Sequence, residues 1–341
     1  MEILTNTRLK EFRRCPQRHF FLYELGIDTV SRADALILGI GIHECLEIWW
    51  QTHKVGANIR DLYTTAAVAH PLSPELAAQC EAMIVGYDAR YGPSSDFFVT
   101  IATEKEFCIP LRNPKSNGQS RTYMLSGKID AIAQRVSDGA LFIVEHKSSS
   151  SDISPGSEYW QRLTLDEQVS IYIYAARQIG YDVQGCVYDV LMKPPKRNLA
   201  TPIGKRKYKK DGSLYAKQRA EDESIDDYTL RILNLIKDDP SKYYRRGIVS
   251  RLDSEIEEFM YSVWLQAKMM TAYRHENTHP KDSGACYMYH RQCQFFDLCC
   301  NTASVDDARF YKKDKIHGEL EGENTNAIIK ESKKLDVICA P

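Results

Sequence analysis

The chain has 341 residues, enough for two ordinary domains and for a core that needs no covalent staples. Apolar residues make up 43% and charged residues 27%, which excludes global disorder, and no run of about 18 apolar residues suggests a membrane span. With 45 basic against 46 acidic residues the net charge is -1, which speaks against an evenly basic nucleic-acid protein.

Residues 1–8 hold no apolar leader core. Ten cysteines in such a chain are expected to be thiols or metal ligands in the cytoplasm rather than a disulfide framework. The periodicity predicts a helix over 7–25 that ends at Gly26, and a second over 35–53 with Leu36, Ile37, Ile40 and Leu46. Ser73-Pro74 opens a third through residue 91. The pattern then changes to period two, with strands over 97–111, 123–134 and 140–147. Ser137-Asp138-Gly139 joins the last two as a hairpin turn. A helix over 165–179 and a strand over 185–192 complete a mixed α/β core around an antiparallel meander. Residues 193–210 then hold eight basic residues and no acid, with acids following at Glu221, Asp222, Glu223, Asp226 and Asp227. Helices are expected over 227–237 and 254–275, and the stretch 318–341 reads as a loose polar tail.

The hairpin concentrates the chemistry. Its first strand carries Gly127-Lys128-Ile129-Asp130 and its second Glu145-His146-Lys147. Alternation puts Glu145 and Lys147 on one face. Counting back through the turn brings Asp130 opposite residue 146, and a small register shift brings it beside Glu145. Carboxylate pairs suit hard divalent cations, and a nearby Lys can orient or deprotonate water. Alone, the same residues describe a salt-bridged hairpin on a solvated face more readily than a metal site. His43, in Gly39-x-Gly41-x-His43, shares a helix face with Glu47, and Gln168 and Tyr172 stand four apart on the next helix.

Taken in order, these motifs resemble the PD-(D/E)xK nuclease superfamily, and within it the RecB/AddB-type branch of CRISPR-associated and phage recombination exonucleases. The resemblance runs from about residue 9 to 300 and starts at Phe12-Arg13-Arg14-Cys15-Pro16-Gln17-Arg18-His19-Phe20. It implies a restriction-endonuclease-like core, a central mixed sheet with an antiparallel meander flanked by helices. Helical N- and C-terminal segments would be joined by a metal cluster. The organisation expected is an N-terminal helical segment (1–95), the nuclease core (96–192), a basic loop (193–225), a C-terminal helical and cysteine segment (226–315) and a flexible tail (316–341). By the same resemblance Asp130 and Glu145 would ligate Mg²⁺ or Mn²⁺, with His43 and the His146 carbonyl as further ligands. Lys147 would position the nucleophile, and Gln168 and Tyr172 would orient the site. The bulky His146 is a departure, harmless if it points away from the metal face. The activity implied is DNA exonuclease cleavage of single strands or DNA ends in recombination, repair or phage DNA processing, in a bacterial or phage-infected cell. A recombination or single-strand-annealing protein would be its partner. A non-catalytic DNA-binding subunit and a structure-selective endonuclease are the alternatives.

Cys286, Cys293, Cys299 and Cys300 crowd one short stretch. With Cys15, three of them resemble the branch's [4Fe–4S] ligands, although the spacing C-x6-C-x5-C departs from its usual one. His290 stands where the first cysteine is expected, so His290 and Cys300 are substitutes for Cys286 and Cys299, and zinc is the alternative metal. Two basic–aromatic runs are candidate contacts to unpaired DNA, read without sequence preference: Lys193 with Lys205, Arg206, Lys207 and Tyr208, and then Tyr244 with Arg245.

Overall fold

A computed structural model describes residues 1–30, 34–52, 72–92, 97–288, 291–317 and Leu320. His53, His290, Cys339 and nearly all of the expected tail lie outside the described residues. The elements that matter are β1 (Glu2–Leu4), α1 (Asn6–Arg14), α2 (Pro16–His19), β2 (Ile27–Thr29), α3 (Asp34–Thr52), α4 (Pro74–Tyr91), β3 (Phe98–Arg112), β4 (Gln119–Arg135), β5 (Leu141–Ser149), α5 (Glu158–Thr164), α6 (Glu167–Gln178), β6 (Val183–Met192), α7 (Ile225–Asp238), α8 (Pro240–Tyr243), β7 (Tyr244–Val249), α9 (Asp253–His275), β8 (Tyr287–Met288), β9 (Arg291–Gln292), α10 (Phe296–Cys299) and β10 (Phe310–Lys312).

Six strands form one mixed sheet in the order β1-β4-β5-β6-β7, with β3 along the other edge of β4. β1 runs parallel to β4 and β5 parallel to β6, while β3–β4, β4–β5 and β6–β7 are antiparallel. Strand alternation divides the side chains between two helical layers. Ile143, Tyr188 and Val190 face one core with Leu9 and Phe12 of α1, Val169 and Ile173 of α6, and Met260 and Val263 of α9. Phe142, Val144, Val187 and Leu191 face the other, with Ile42 and Leu46 of α3, Met83 and Tyr87 of α4, and Ile232 of α7.

One feature of β4 creates the site. On the edge away from β3, β1 pairs only with Tyr123–Leu125 and β5 only with Ala131–Gln134. Among the described residues, 126–130 have no strand partner on that side, so the sheet forks there. The ladder Ala131↔Val144 sets Asp130 level with Glu145, the one-residue shift from the plain turn count.

Several expectations change. The helix over 7–25 breaks at Cys15, which is extended at φ -167, because Pro16 lacks the N–H to continue α1 and instead opens α2. A π-helical turn, Phe20–Glu24, follows. The helix over 165–179 is found as α6, starting where the Asp166 carboxylate caps it through the Gln168 N–H, and a short helix that was not expected, α5, precedes it. The N-terminal segment is not purely helical, since β1 joins the sheet, and β7 forms where a basic–aromatic contact run is expected. The N-terminal elements meet the segment from Arg274 to Lys312: β10 pairs antiparallel with β2, Phe21, Phe295 and Phe310 share a small core, and Arg274 pairs with Glu2 and Glu24. These contacts hold the two segments together.

His19 lies beneath this junction, fully buried, with its Nε2 accepting from Arg8 Nε at 3.1 Å and its Nδ1 3.7 Å from Glu24 Oε1. Burial first, then Arg8 and Arg274, depresses its pKa to about 3. An unfolded chain binds that proton near pH 6.5, so the stability owed to neutral His19 is full above 6.5 and falls as pH drops toward 3. The slope is roughly 1.4 kcal/mol per pH unit at most. Denaturant melts at pH 7 and pH 5 should show this loss, and His19→Gln should flatten it. An unchanged slope in that variant contradicts the assignment.

Candidate active site

The fork gathers the predicted residues from four elements. Asp130 leaves β4 at the last unpaired position, and its Oδ2 accepts from the His146 backbone N–H at 2.8 Å. Glu145 and Lys147 share a face of β5, and Lys147 Nζ donates to Glu145 Oε1 at 2.5 Å. From α6, Gln168 completes the circuit: its Oε1 accepts from Lys147 Nζ at 2.8 Å, and its Nε2 donates to Glu145 Oε1 at 2.8 Å and to Tyr172 OH at 3.0 Å. An amide is suited to this place because it accepts from an ammonium and donates to a carboxylate with one planar group. His43, on α3, places Nδ1 3.6 Å from Asp130 Oδ2, with its side chain 37% exposed.

Burial and the nearby Asp130 push the Glu145 carboxyl up to about 7 against the pull of Lys147. Burial would raise Asp130 as well, but His43 and the His146 N–H hold it well below the ordinary carboxylate range. Lys147, although buried, is held above the ordinary lysine range by Glu145. The environment thus sets the two carboxyls far apart, a pattern typical of sites where neighbouring acids serve different roles. Glu145 Oε2 is buried with no hydrogen-bond partner. Such an orphan oxygen beside a second carboxylate fits a hard cation. Among the described residues no three His, Cys, Asp or Glu side chains close around an ion. Two carboxylates nevertheless suffice for Mg²⁺, whose remaining ligands are usually water and phosphate oxygens.

Gly127 shapes the pocket floor. A Cβ there would lie 2.7 Å from Phe107 Cζ and 3.3 Å from Tyr172 Cε1, both rings locked in the core. Gly127→Ala should therefore cost about 1–3 kcal/mol and impair cleavage by shifting Tyr172 and, with it, Gln168. Thermal melting together with a cleavage assay checks this, and wild-type behaviour in both contradicts it. Gly39 has a looser place, 3.6 Å from Ser148 Oγ, while Gly41 lets α3 approach Leu72 at 3.3 Å.

His146 does point away from this face, and what it meets was not foreseen. Its Nδ1 lies 3.2 Å from Asp189 Oδ2, under Trp50. Asp189, 0% exposed, accepts from Arg246 Nε at 3.1 Å and from Tyr87 OH. Arg246 stacks 3.8 Å from the Tyr91 ring centroid. The one sequence signal was a lone acid in the otherwise apolar strand 186–191, which a buried position tolerates only with a partner.

Tyr244 is corrected as a DNA contact. It is 2% exposed, its hydroxyl donates to Met83 O, and no base can reach it to stack. Arg245, beside it on β7, is half-buried with Nη2 on Ser241 O. Lys193 is half-buried, donating to Ala35 O, and Arg206 donates to Thr201 O and Ala220 O. Lys205, Lys207 and Tyr208 are exposed.

The cysteines converge on the terminal junction. Cys293 and Cys299 pack on the Phe21–Phe295 core, and Arg18 Nη1 lies 3.7 Å from Cys293 Sγ. Burial pushes the Cys299 thiol up to about 11, and Cys15, Cys293 and Cys286 are near enough to add to it. Cys286 likewise feels Cys293, Cys15 and Cys300. All are free thiols, and among the described residues they do not form a closed ligand set.

A forked mixed sheet thus presents an Asp, a Glu-x-Lys and a bridging Gln at one place. The family model of the PD-(D/E)XK nuclease superfamily matches residues 3–300, and the chain belongs to that superfamily. Among solved structures, a protein of Eubacterium rectale provisionally designated an exonuclease is 11% identical, with 94% of each chain covered and a TM-score of 0.45. SSO0001 is 14% identical, covering 75% of this chain and 93% of its own, with a TM-score of 0.22. No curated protein matches the chain. Among the described residues no helix is long and apolar enough to cross a membrane.

Proposed function

We propose that the chain is a divalent-cation-dependent DNA exonuclease of the RecB/AddB-type branch, acting in recombination, repair or phage DNA processing. The observation that carries this reading is the orphan Glu145 Oε2 buried beside Asp130 and within the Lys147–Gln168 circuit. Asp130 and Glu145, with His43 at their edge, are the residues that would hold Mg²⁺ or Mn²⁺. When bound, the cation supplies Lewis acidity toward phosphate and a more acidic water. The Lys147 ammonium is aimed at the same space, where it offers positive charge and a proton donor to phosphate or nucleophile. Gln168 fixes that ammonium, and Tyr172 fixes Gln168.

The test uses end-labelled linear single and double strands and a closed circle, each with Mg²⁺ and with chelator. Mg²⁺-dependent loss of linear substrate with an intact circle supports the proposal. Cleavage of the circle favours a structure-selective endonuclease, and no cleavage of any substrate favours a non-catalytic DNA-binding subunit that works beside a recombination or annealing protein.

The reading includes a [4Fe–4S] cluster on Cys15, Cys286, Cys293 and Cys299, supported by the packing of Cys293 and Cys299 on the junction core and by the nearness of Cys15 and Cys293 to both Cys286 and Cys299. Such a link closes a loop of more than 250 residues and strongly constrains the unfolded chain. Purified without oxygen, the protein should be brown, and Cys15→Ser should lose both the colour and several degrees of Tm. A colourless protein with stoichiometric zinc replaces iron by zinc, and one with neither metal removes the cluster.

A further inference from the structure

The basic segment after β6 is a built arm. It starts at the catalytic fork: the Lys193 N–H donates to Ser149 O at 2.7 Å, two residues beyond Lys147 and at the C-terminal end of the parallel β5–β6 pair. Its neck is clamped. Arg197 pairs with Glu75 at the start of α4 and with Asp222, and Glu223, buried, accepts from Arg231 of α7 and from the Asn198 N–H. Tyr228 OH donates to Pro195 O. Two of the acids that follow the basic run in the sequence, Asp222 and Glu223, are thus consumed at the neck.

Beyond the neck the chain doubles back as a short ribbon. Tyr208 bridges to Leu214, Tyr215 N donates to Lys207 O at 3.0 Å, and Lys209 N donates to Ser213 O at 2.7 Å across a turn closed by Gly212 at φ +81. Lys205, Lys207, Lys209, Lys210 and Lys217 are exposed, and among the described residues none has an ion-pair partner. Asp211 faces them as the ribbon's one acid, already spent on the turn through Ser213. Between these cations stand two rings in the open, Tyr208 at 57% and Tyr215 at 53% exposure.

We propose that this arm binds single-stranded nucleic acid and delivers it to the fork. The proposal rests on the nuclease reading only for the delivery. Ammoniums without partners release counterions when they meet phosphates, whichever the sequence. Exposed rings add affinity only where base faces are unstacked, which a single strand offers and an intact duplex does not. A purely electrostatic patch has no use for exposed tyrosines, and a structural loop has no use for five unpaired lysines at its tip.

The experiment measures binding of a fluorescent oligo-dT and of a duplex of equal length by anisotropy, in chelator so that cleavage plays no part. Wild type should prefer the single strand by tenfold or more. Lys205→Gln/Lys207→Gln/Lys209→Gln/Lys210→Gln should weaken both substrates and flatten the salt dependence by about 3 in log–log slope. Tyr208→Ala/Tyr215→Ala should lose at least tenfold on the single strand and nothing on the duplex. All six positions are exposed, so unchanged melting curves verify the fold. Wild-type affinity and slope in the lysine variant overturn the proposal, as does equal loss on both substrates in the tyrosine variant, or stronger binding to phosphatidylserine vesicles than to oligo-dT. Arm-dependent binding in a protein that never cleaves leaves the arm standing and removes the nuclease reading. Cleavage by a protein whose binding ignores the arm does the reverse.

Discussion

Asp130→Asn should lower cleavage by about 10³-fold or more, close to 4 kcal/mol of transition-state stabilisation. Asn keeps the shape and one oxygen for the His146 N–H, so the fork should persist and Tm should move by only a few degrees. What is lost is the negative charge that, with Glu145, makes the fork attractive to a cation. Lys147→Ala should cost roughly 10²- to 10⁴-fold by removing the ammonium held between Glu145 and Gln168. Steady-state cleavage beside a melting curve separates these losses from unfolding. Full activity in either variant removes the site assignment.

The second large effect is on stability. Asp189→Ala should cost about 3–5 kcal/mol, because Arg246 and Tyr87 lose their buried acceptor together. Ordinary domains have only about 5–15 kcal/mol in total, so the variant should approach unfolding at moderate temperature. Asp189→Leu/Arg246→Met should recover much of the loss, since an apolar pair of similar size leaves no stranded charge. Denaturant midpoints measure both. A loss below about 1 kcal/mol in the single variant means that the network is not carrying the strand pairing. His146 ties this network to the fork, because its ring meets Asp189 while its N–H holds Asp130.

Local signals were enough for much of the fold. The meander, the turn at Gly139 and the helices over Pro74–Tyr91 and Asp253–His275 follow from periodicity and caps, and the structure moves their ends by only a residue or a few. β1 was missed because three residues carry no period, and it forms only against β4, more than a hundred residues away. β7 was missed because Tyr244, Arg245 and Arg246 read as a surface run. Their partners on β6 bury Tyr244 and turn Arg246 inward to Asp189. The break at Cys15 was written in Pro16 but outweighed by the flanking apolar pattern. At the site, the six residues that motif order singles out lie within contact of one another. The fork that separates Asp130 from β5 has no local signal, because it depends on where two distant strands stop pairing with β4.

The overall charge of -1 also takes on a different meaning. Acids at the neck of the arm are paired within the fold, and those at the fork face a place for a cation, while the lysines at the ribbon's tip remain free for phosphate.

The most direct test of the account is hydrolysis of a labelled DNA strand by the purified wild-type chain, with Mg²⁺ and with chelator, beside Asp130→Asn. The account predicts cleavage with Mg²⁺, none with chelator, and none above background for the variant. Equal cleavage in all three, or none by a folded, Mg²⁺-supplied wild type on any strand, contradicts it.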